Sequence, residues 1–433
     1  MINRLWSFGF RHLTALLGIV IFVVAFLAYA STVPPVQVPG DPSEYTFIPW
    51  ILGLVHPPGY AFYTLLAALW QHLLPIGTVA YRTHLLAATA GALSAVLVYA
   101  SVQCLIMRPG SSTPVHKFEA HLPAIFAGLS LAAATDVWQH SIHANAHIIT
   151  LLLATLSIFL LLRWWRSGHD RWLYTFALIA GFSPAQHLLL VFAFPAYLIF
   201  IILVKPRLFI QPKKLLGLSG CFLLGLSVFL YYPLRSPTTP FGPTDITSLE
   251  TFIHFVSGEG LRVNLFHFGL SDQLTRLGVF WELLGLQYAS ISILLAIPGA
   301  IWLARTAWKP FVLCSVFFLS LYLFIVNTVQ DVMAYLLLPF MMMAIFLGLG
   351  VWVVTLAFAR SARLRRTFPL SIGLVLLLLP IGKLVDTGPR VALRDYTVGG
   401  DWVNTVFDRF AGKGEHAVLL APWEAMTPLW VAQ

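Results

Sequence analysis

Apolar residues run through this chain in repeated blocks of about twenty, the length that sets a membrane-crossing helix apart from a soluble one. LLGIVIFVVAFLAYA near the start and MMMAIFLGLGVWVVTLAF much later are examples. A helix satisfies its own backbone hydrogen bonds where no water can, so such blocks are stable inside a bilayer. The hydropathy pattern predicts eleven spans, near 13–31, 83–107, 121–136, 147–163, 172–185, 187–204, 215–232, 278–304, 310–328, 335–358 and 368–385. Composition agrees: 59% of the 433 residues are hydrophobic and only 10% charged, against about 25% charged in ordinary soluble domains. These values exclude disordered, collagen-like, coiled-coil and disulfide-scaffold chains. The expected fold class is an all-α polytopic membrane protein.

Charge placement sets the topology. The net charge is +9, but the basic residues lie in small groups between apolar blocks, which argues for topology signals rather than nucleic-acid binding. The segment from His56 to Gly77 is apolar enough to be a twelfth span. If instead it lies along the interface, the inner loops collect 17 of the 26 Lys and Arg and only two acids, Glu119 and Asp170. Crossing there would invert every later loop and move 15 of those 17 basic residues to the outer side. The positive-inside rule therefore predicts an interfacial helix, with the N-terminus cytoplasmic and the C-terminus extracytoplasmic. Residues 32–82, 137–146, 233–277 and the tail from 386 then face outward. The expectation is a transmembrane domain over 1–385 and a short extracytoplasmic segment over 386–433, in which DYTVGGDWVNTVFDRF reads as a helix and HAVLLAP as a strand. The first span resembles a signal peptide but is read as an anchor. Cys104, Cys221 and Cys314 fall inside apolar runs and read as packing residues.

In the first outer loop, VPGDPSEYTFIPW places Asp41 and Glu44 three residues apart. On a helix they share a face, which suits base chemistry at the membrane edge and equally suits a solvated N-cap close to a capping box. His140, His143 and His147 share a helical face that reads as a hydrogen-bonded patch rather than a metal set.

The stretch from Gly40 to Tyr99, with its HPPGY and LLPIG blocks, resembles the opening of a family of GT-C membrane glycosyltransferases that includes a mammalian transmembrane protein O-mannosyltransferase. Asp41, Glu44, His56, Pro57, Pro58, Gly59, Tyr60, Pro75, Gly77 and Arg82 carry the match. Later blocks around Arg235, Asp245 and Glu250, around Asp331 and Tyr335, and AVLLAPWEAMTPLWVAQ at the end extend it. The chain departs from the family pattern at Ser43, at Asn145 and His147, and at Ala185-Gln186-His187.

The resemblance implies a GT-C-like bundle that takes a sugar from a polyprenyl-phosphate carrier and moves it, with inversion, to an acceptor hydroxyl on a protein or glycan. It implies Asp41 as catalytic base, with Glu44 orienting the acceptor or Asp41. Substrate contacts are expected from His56, Tyr60, Arg82, His187, Arg235, Asp331 and Tyr335, with Arg82, Arg235 and His187 facing the leaving phosphate. For Arg82 and Arg235 the alternative is snorkelling to headgroups. For Asp331 and Tyr335, and for Asp245 and Glu250, it is helix capping. No metal ligands are assigned and no cofactor is certain, although a divalent metal is admitted. The expected partners are a lipid-linked sugar, a protein or glycan acceptor and membrane lipid, with no nucleic acid, and the expected location is a bacterial inner membrane. The competing classes are a transporter or flippase of a lipid-linked saccharide and an inactive GT-C-like scaffold.

Overall fold

The computed structural model of the chain describes residues 2–107, 119–328, 332–359, 368–412, 414 and 417–433, and side chains apart from those of 2–11, 261 and 262. It is built from helices, with no strand among the described residues. The chain runs α1 (Ile2–Ala30), α2 (Asp41–Ile51), α3 (Ala61–Leu73), α4 (Val79–Ile106), α5 (Leu122–Ala133), α6 (Thr135–Ser141), α7 (Ala146–Ser167) and α8 (Asp170–Gln186). It continues with α9 (Phe194–Val204), α10 (Pro212–Leu226), α11 (Tyr231–Arg235), α12 (Leu249–Val256), α13 (Gln273–Gln287), α14 (Ser290–Ile293) and α15 (Ala296–Thr306). The last six are α16 (Trp308–Val326), α17 (Val332–Tyr335), α18 (Leu337–Ala359), α19 (Phe368–Val391), α20 (Val398–Phe410) and α21 (Trp423–Ala432).

Each expected span falls on a helical segment, but fewer qualify by length and apolarity. Among the described residues seven helices are long and apolar enough to cross a membrane, and nine if two bent pairs count as single spans. Those pairs break by 63° between α5 and α6 and by 117° between α13 and the α14–α15 segment. The expected spans 172–185 and 187–204 correspond to α8 and to the apolar run Leu188–Val204, which begins as a 3-10 turn before Phe194 starts α9. At 1.5 Å per residue such segments reach about 25 Å, short of a bilayer core of about 30 Å.

The helices α4, α7 and α18 form the centre, while α1, α10 and α19 present most of their apolar surface outward. Close crossings rest on glycine. A Cβ on Gly350 of α18 would lie 1.9 Å from the Leu295 carbonyl, and one on Gly299 of α15 would lie 2.1 Å from the Phe346 carbonyl. Small residues let backbones meet where lipid removes the hydrophobic drive for helix association. Gly350→Val is therefore expected to destabilise the protein by about 3 kcal/mol through overpacking. Gly278→Ala, with open space around the added methyl, is expected to leave the thermal midpoint in detergent near wild type.

The HPPGY segment is too short to cross as one helix. Its helix α3 has 13 residues, about 20 Å at 1.5 Å per residue, and ends before Pro75. It is amphipathic: Ala61, Thr64, Ala67 and Gln71 are buried, while Leu69 and Leu73 are exposed. Gln71 ties the hairpin together, its side-chain amide donating to the Thr46 carbonyl of α2 at 2.9 Å and to Thr83 Oγ1 of α4 at 2.8 Å. At the far end of the bundle, Asp170 at the start of α8 pairs with Lys214 and Lys205. Lys214, then Lys205, holds its carboxyl below the usual range.

The tail holds the expected helix, α20, but not the expected strand. Residues 417–422 form an exposed coil. A strand needs a neighbour for its backbone groups, and the described tail offers only helices.

Candidate active site

Asp41 opens α2, with Pro42 as the next residue. The N-cap is Gly40 at φ +78°, and no side chain caps the helix, so neither carboxylate serves as the solvated cap that the spacing also allowed. Asp41 Oδ1 instead accepts the indole N–H of Trp423, at 2.9 Å from Nε1 to Oδ1. Glu44, one turn on, is 1% exposed. Its Oε1 accepts the His56 backbone N–H at 2.9 Å and its Oε2 pairs with His56 Nδ1. A buried carboxylate is tolerated because these two partners satisfy it.

The HPPGY loop has a local reason for each residue. A Cβ on Gly59, at φ +102°, would lie 2.4 Å from the Tyr232 hydroxyl. That hydroxyl accepts the Ala61 N–H at 2.9 Å and donates to the Pro58 carbonyl at 3.3 Å. The loop is thereby pinned between α2 and α11. Tyr60 then takes φ +51° at the start of α3 and turns its ring into the cluster.

Four elements bring aromatic and imidazole rings to meet Tyr60. Its ring centroid lies 5.4 Å from Tyr45, 5.9 Å from His56, 6.0 Å from His147 and 5.4 Å from His187. The Tyr335 ring lies 5.5 Å from His147 and 5.2 Å from His187. Asn145 caps α7, its Oδ1 accepting the His147 and Ile148 N–H groups, which aims His147 inward. Burial, with Tyr60, Asp41 and Glu44 nearby, pushes the Tyr45 hydroxyl well above its ordinary pKa.

His187 occupies the break between α8 and the 3-10 turn that follows it. Its Nδ1 accepts the Leu189 N–H at 3.0 Å, so a neutral ring carries its proton on Nε2. That Nε2 is buried and has no hydrogen-bond partner. A buried donor without a partner is costly unless a ligand supplies one. In the loop before α7, burial, with His140 and His84 adding to it, lowers the His143 pKa to about 3.

The unfolded chain binds this proton near pH 6.5 and the folded chain does not, so its stabilisation is full above pH 6.5 and is lost as pH falls toward 3. His143→Gln is expected to flatten the fall of the thermal midpoint below pH 6.5 in detergent. Curves that run parallel to wild type would contradict this.

Several expected contacts are placed elsewhere. Arg82 donates to the carbonyls of Ile76, Gln71 and Gly77 at 3.1, 3.0 and 3.1 Å. Arg235 donates to the carbonyls of Leu52 at 2.6 Å and Ile51 at 3.3 Å. Each guanidinium satisfies the orphan carbonyls at a helix end, Arg82 beyond α3 and Arg235 at the end of α2 away from Asp41. Both guanidiniums are thus engaged with backbone carbonyls, and no ring of the cluster is among these partners. The α12 cap is Ser248, in a capping box with Thr251, not Asp245. Asp331 lies outside the described residues. The histidine patch forms part of the cluster wall, with His140 6.1 Å from His143 and 6.5 Å from His147.

The donor atoms that could hold a metal belong instead to Asp41, Glu44 and His56, within 4.8 Å of one another. Two carboxylates and an imidazole suit a divalent cation chemically, and small inward movements would bring them to ligand spacing. Sequence reasoning missed the docking of Trp423 and Thr427 against the start of α2. The AVLLAPWEAMTPLWVAQ block was the signal, but its contact lies 382 positions away in sequence.

Residues 41–208 match the family described as the protein O-mannosyl-transferase TMEM260 N-terminal domain. Protein O-mannosyl-transferase TMEM260 of Mus musculus is 30% identical over 252 residues, which are 56% of this chain and 34% of the mouse protein. The Dictyostelium discoideum protein of the same name is 21% identical over 373 residues, 77% of this chain and 44% of that one. The chain thus spans less than half the length of these curated relatives. Both are eukaryotic, so the expectation of a bacterial inner membrane draws no support from them. ArnT from Cupriavidus metallidurans bound to undecaprenyl phosphate aligns with TM-score 0.61 and 13% identity, over 98% of this chain and 85% of ArnT. AglB from Archaeoglobus fulgidus, in complex with an inhibitory peptide and a dolichol-phosphate, aligns with TM-score 0.51 and 12% identity, over 94% and 60%. Such identities speak for the fold alone. Over residues 41–208 the chain is therefore similar to the N-terminal domain of the protein O-mannosyl-transferase TMEM260 family, and it shares the fold of ArnT and AglB.

Proposed function

We propose that the chain is a membrane glycosyltransferase that moves a sugar from a polyprenyl phosphate to an acceptor hydroxyl. One observation carries the reading: an aspartate free of any capping role stands beside a buried Glu44 that is paired with His56, at one end of an apolar bundle. In this reading Asp41 takes the proton of the acceptor hydroxyl as that oxygen attacks the anomeric carbon. The bond from that carbon to the phosphate oxygen breaks, and its electron pair leaves on the phosphate with inversion. Glu44 holds His56 in place, and His187 Nε2–H donates to the leaving phosphate. Tyr60 and Tyr335 wall the sugar. Asp41, Glu44 and His56 would hold a divalent cation where one binds, supplying Lewis-acid stabilisation of the phosphate, and no step above requires it.

The donor's tail has a place to lie. An apolar cavity of about 970 Å³ runs between α8, α9 and α10, lined by Ala177, Ala180, Val191, Phe194 and Phe222 among others. Val191 and Ala180 are four and seven residues from His187, so the cavity rises toward the cluster. The binding of undecaprenyl phosphate by ArnT supports a polyprenyl carrier, and the relatives' name supports mannose and a protein hydroxyl. Arg163, Arg166, Lys205, Lys214, Arg305 and Lys309 lie toward the helix ends away from the cluster, which supports a non-cytosolic site, a cytoplasmic N-terminus and an extracytoplasmic tail.

The test mixes the detergent-purified protein with a panel of polyprenyl-phosphate sugars, mannose first, and Ser/Thr-containing peptides, and follows the new bond by mass spectrometry. Transfer to a hydroxyl is expected. Saccharide movement across proteoliposomes without a new glycosidic bond would overturn the reading in favour of a transporter.

A further inference from the structure

The tail returns to the site. Helix α21 lies against α2, joined by contacts that bridge nearly the whole chain. Thr427, fully buried, accepts the Gly40 N–H at 2.9 Å, a donor that the start of α2 would otherwise leave open. The Trp430 ring lies 4.5 Å from Phe241 and 6.4 Å from Phe47. From α20, the Trp402 indole N–H donates to the Ala425 carbonyl at 2.8 Å. These anchors fix the N-terminal end of α21. There the Trp423 ring stands 5.4 Å from Trp430 and 6.1 Å from His56, with its Nε1–H on Asp41 Oδ1.

We infer that Trp423 is a positioning residue: its indole N–H fixes the rotation of the Asp41 carboxylate so that the second oxygen, Oδ2, is the one presented to the acceptor hydroxyl. A carboxylate at a helix start is ordinarily drawn to its own helix's open N–H groups. Here the indole N–H holds one oxygen and Thr427 serves the Gly40 N–H, so both reasons for Asp41 to turn back are removed. The inference rests on the transferase reading for its effect on rate, while the contact itself stands apart from it.

Two measurements separate these. In the transfer assay, Trp423→Phe keeps the ring packing and removes the N–H. A lost hydrogen bond to a charged group corresponds to about a ten- to hundredfold fall, expected here in kcat, with the donor KM and the thermal midpoint unchanged. Trp423→His, which restores a ring N–H, is expected to recover part of the rate. In protein labelled with 5-fluorotryptophan, the Trp423 fluorine resonance, assigned by its loss in Trp423→Phe, is expected to shift when Asp41→Ala is introduced. A wild-type kcat in Trp423→Phe, or an unshifted resonance, would overturn the positioning role. A shifted resonance in a protein that transfers no sugar from any donor would leave the contact standing and sink the transferase reading instead.

Discussion

Asp41→Asn is expected to lower sugar transfer by about a thousandfold, within the 10²–10⁴ range for loss of a positioned general base. Asparagine has the shape of aspartate and can still accept the Trp423 N–H through its oxygen, so the tail stays docked and the thermal midpoint holds. What it loses is the ability to take a proton. Donor binding is expected to persist, because neither the apolar cavity beside α8 nor the His187 donor involves this side chain. The effect therefore falls on kcat rather than on donor KM. Asp41→Asn transfer within a few-fold of wild type would remove Asp41 from the reaction.

Glu44→Ala is expected to affect folding as well as rate. Glu44 is buried and accepts two hydrogen bonds from His56. Removing the carboxylate costs about 1–3 kcal/mol, because the His56 backbone N–H is left without its acceptor. The stranded groups would be the His56 backbone N–H and ring, at the point where the HPPGY loop leaves α2. Glu44→Gln keeps one acceptor oxygen and is expected to recover most of the thermal midpoint but little of the transfer. Thermal unfolding in detergent beside the transfer assay reads both. A Glu44→Ala midpoint equal to wild type would show that the pair does not hold the loop.

Much of this arrangement is legible in the residue order. Hydropathy marks each helical leg, and the charge count keeps His56–Gly77 out of the bilayer, where α3 proves too short to cross. The HPPGY block announces a special turn, and Gly59 beneath Tyr232 supplies its reason. What escapes the sequence is partnership at long range. Arg82 and Arg235 carry the right charge for a phosphate, yet which carbonyls lie within their reach depends on how α2, α3 and α11 dock. The reading of 417–422 as a strand follows its apolar character, but strand formation depends on a neighbour the fold does not provide. The two short legs α8 and α9 look like spans by composition, and only the break at His187 shows that a polar ring occupies their junction. Trp423 lies in a block that extends the family resemblance, but nothing near it points to its partner Asp41, which stands near the opposite end of the chain.

A single displacement, with one carboxylate drawing the proton and no sugar ever bonded to the protein, fixes the handedness of the product. Nuclear magnetic resonance of the glycosylated acceptor, made from a polyprenyl-phosphate sugar of known anomeric form, reads that handedness from the anomeric proton coupling. Inversion is the predicted result: a β-linked donor yields an α-linked product. Retention would require a covalent sugar intermediate on a carboxylate, and would contradict the role assigned to Asp41.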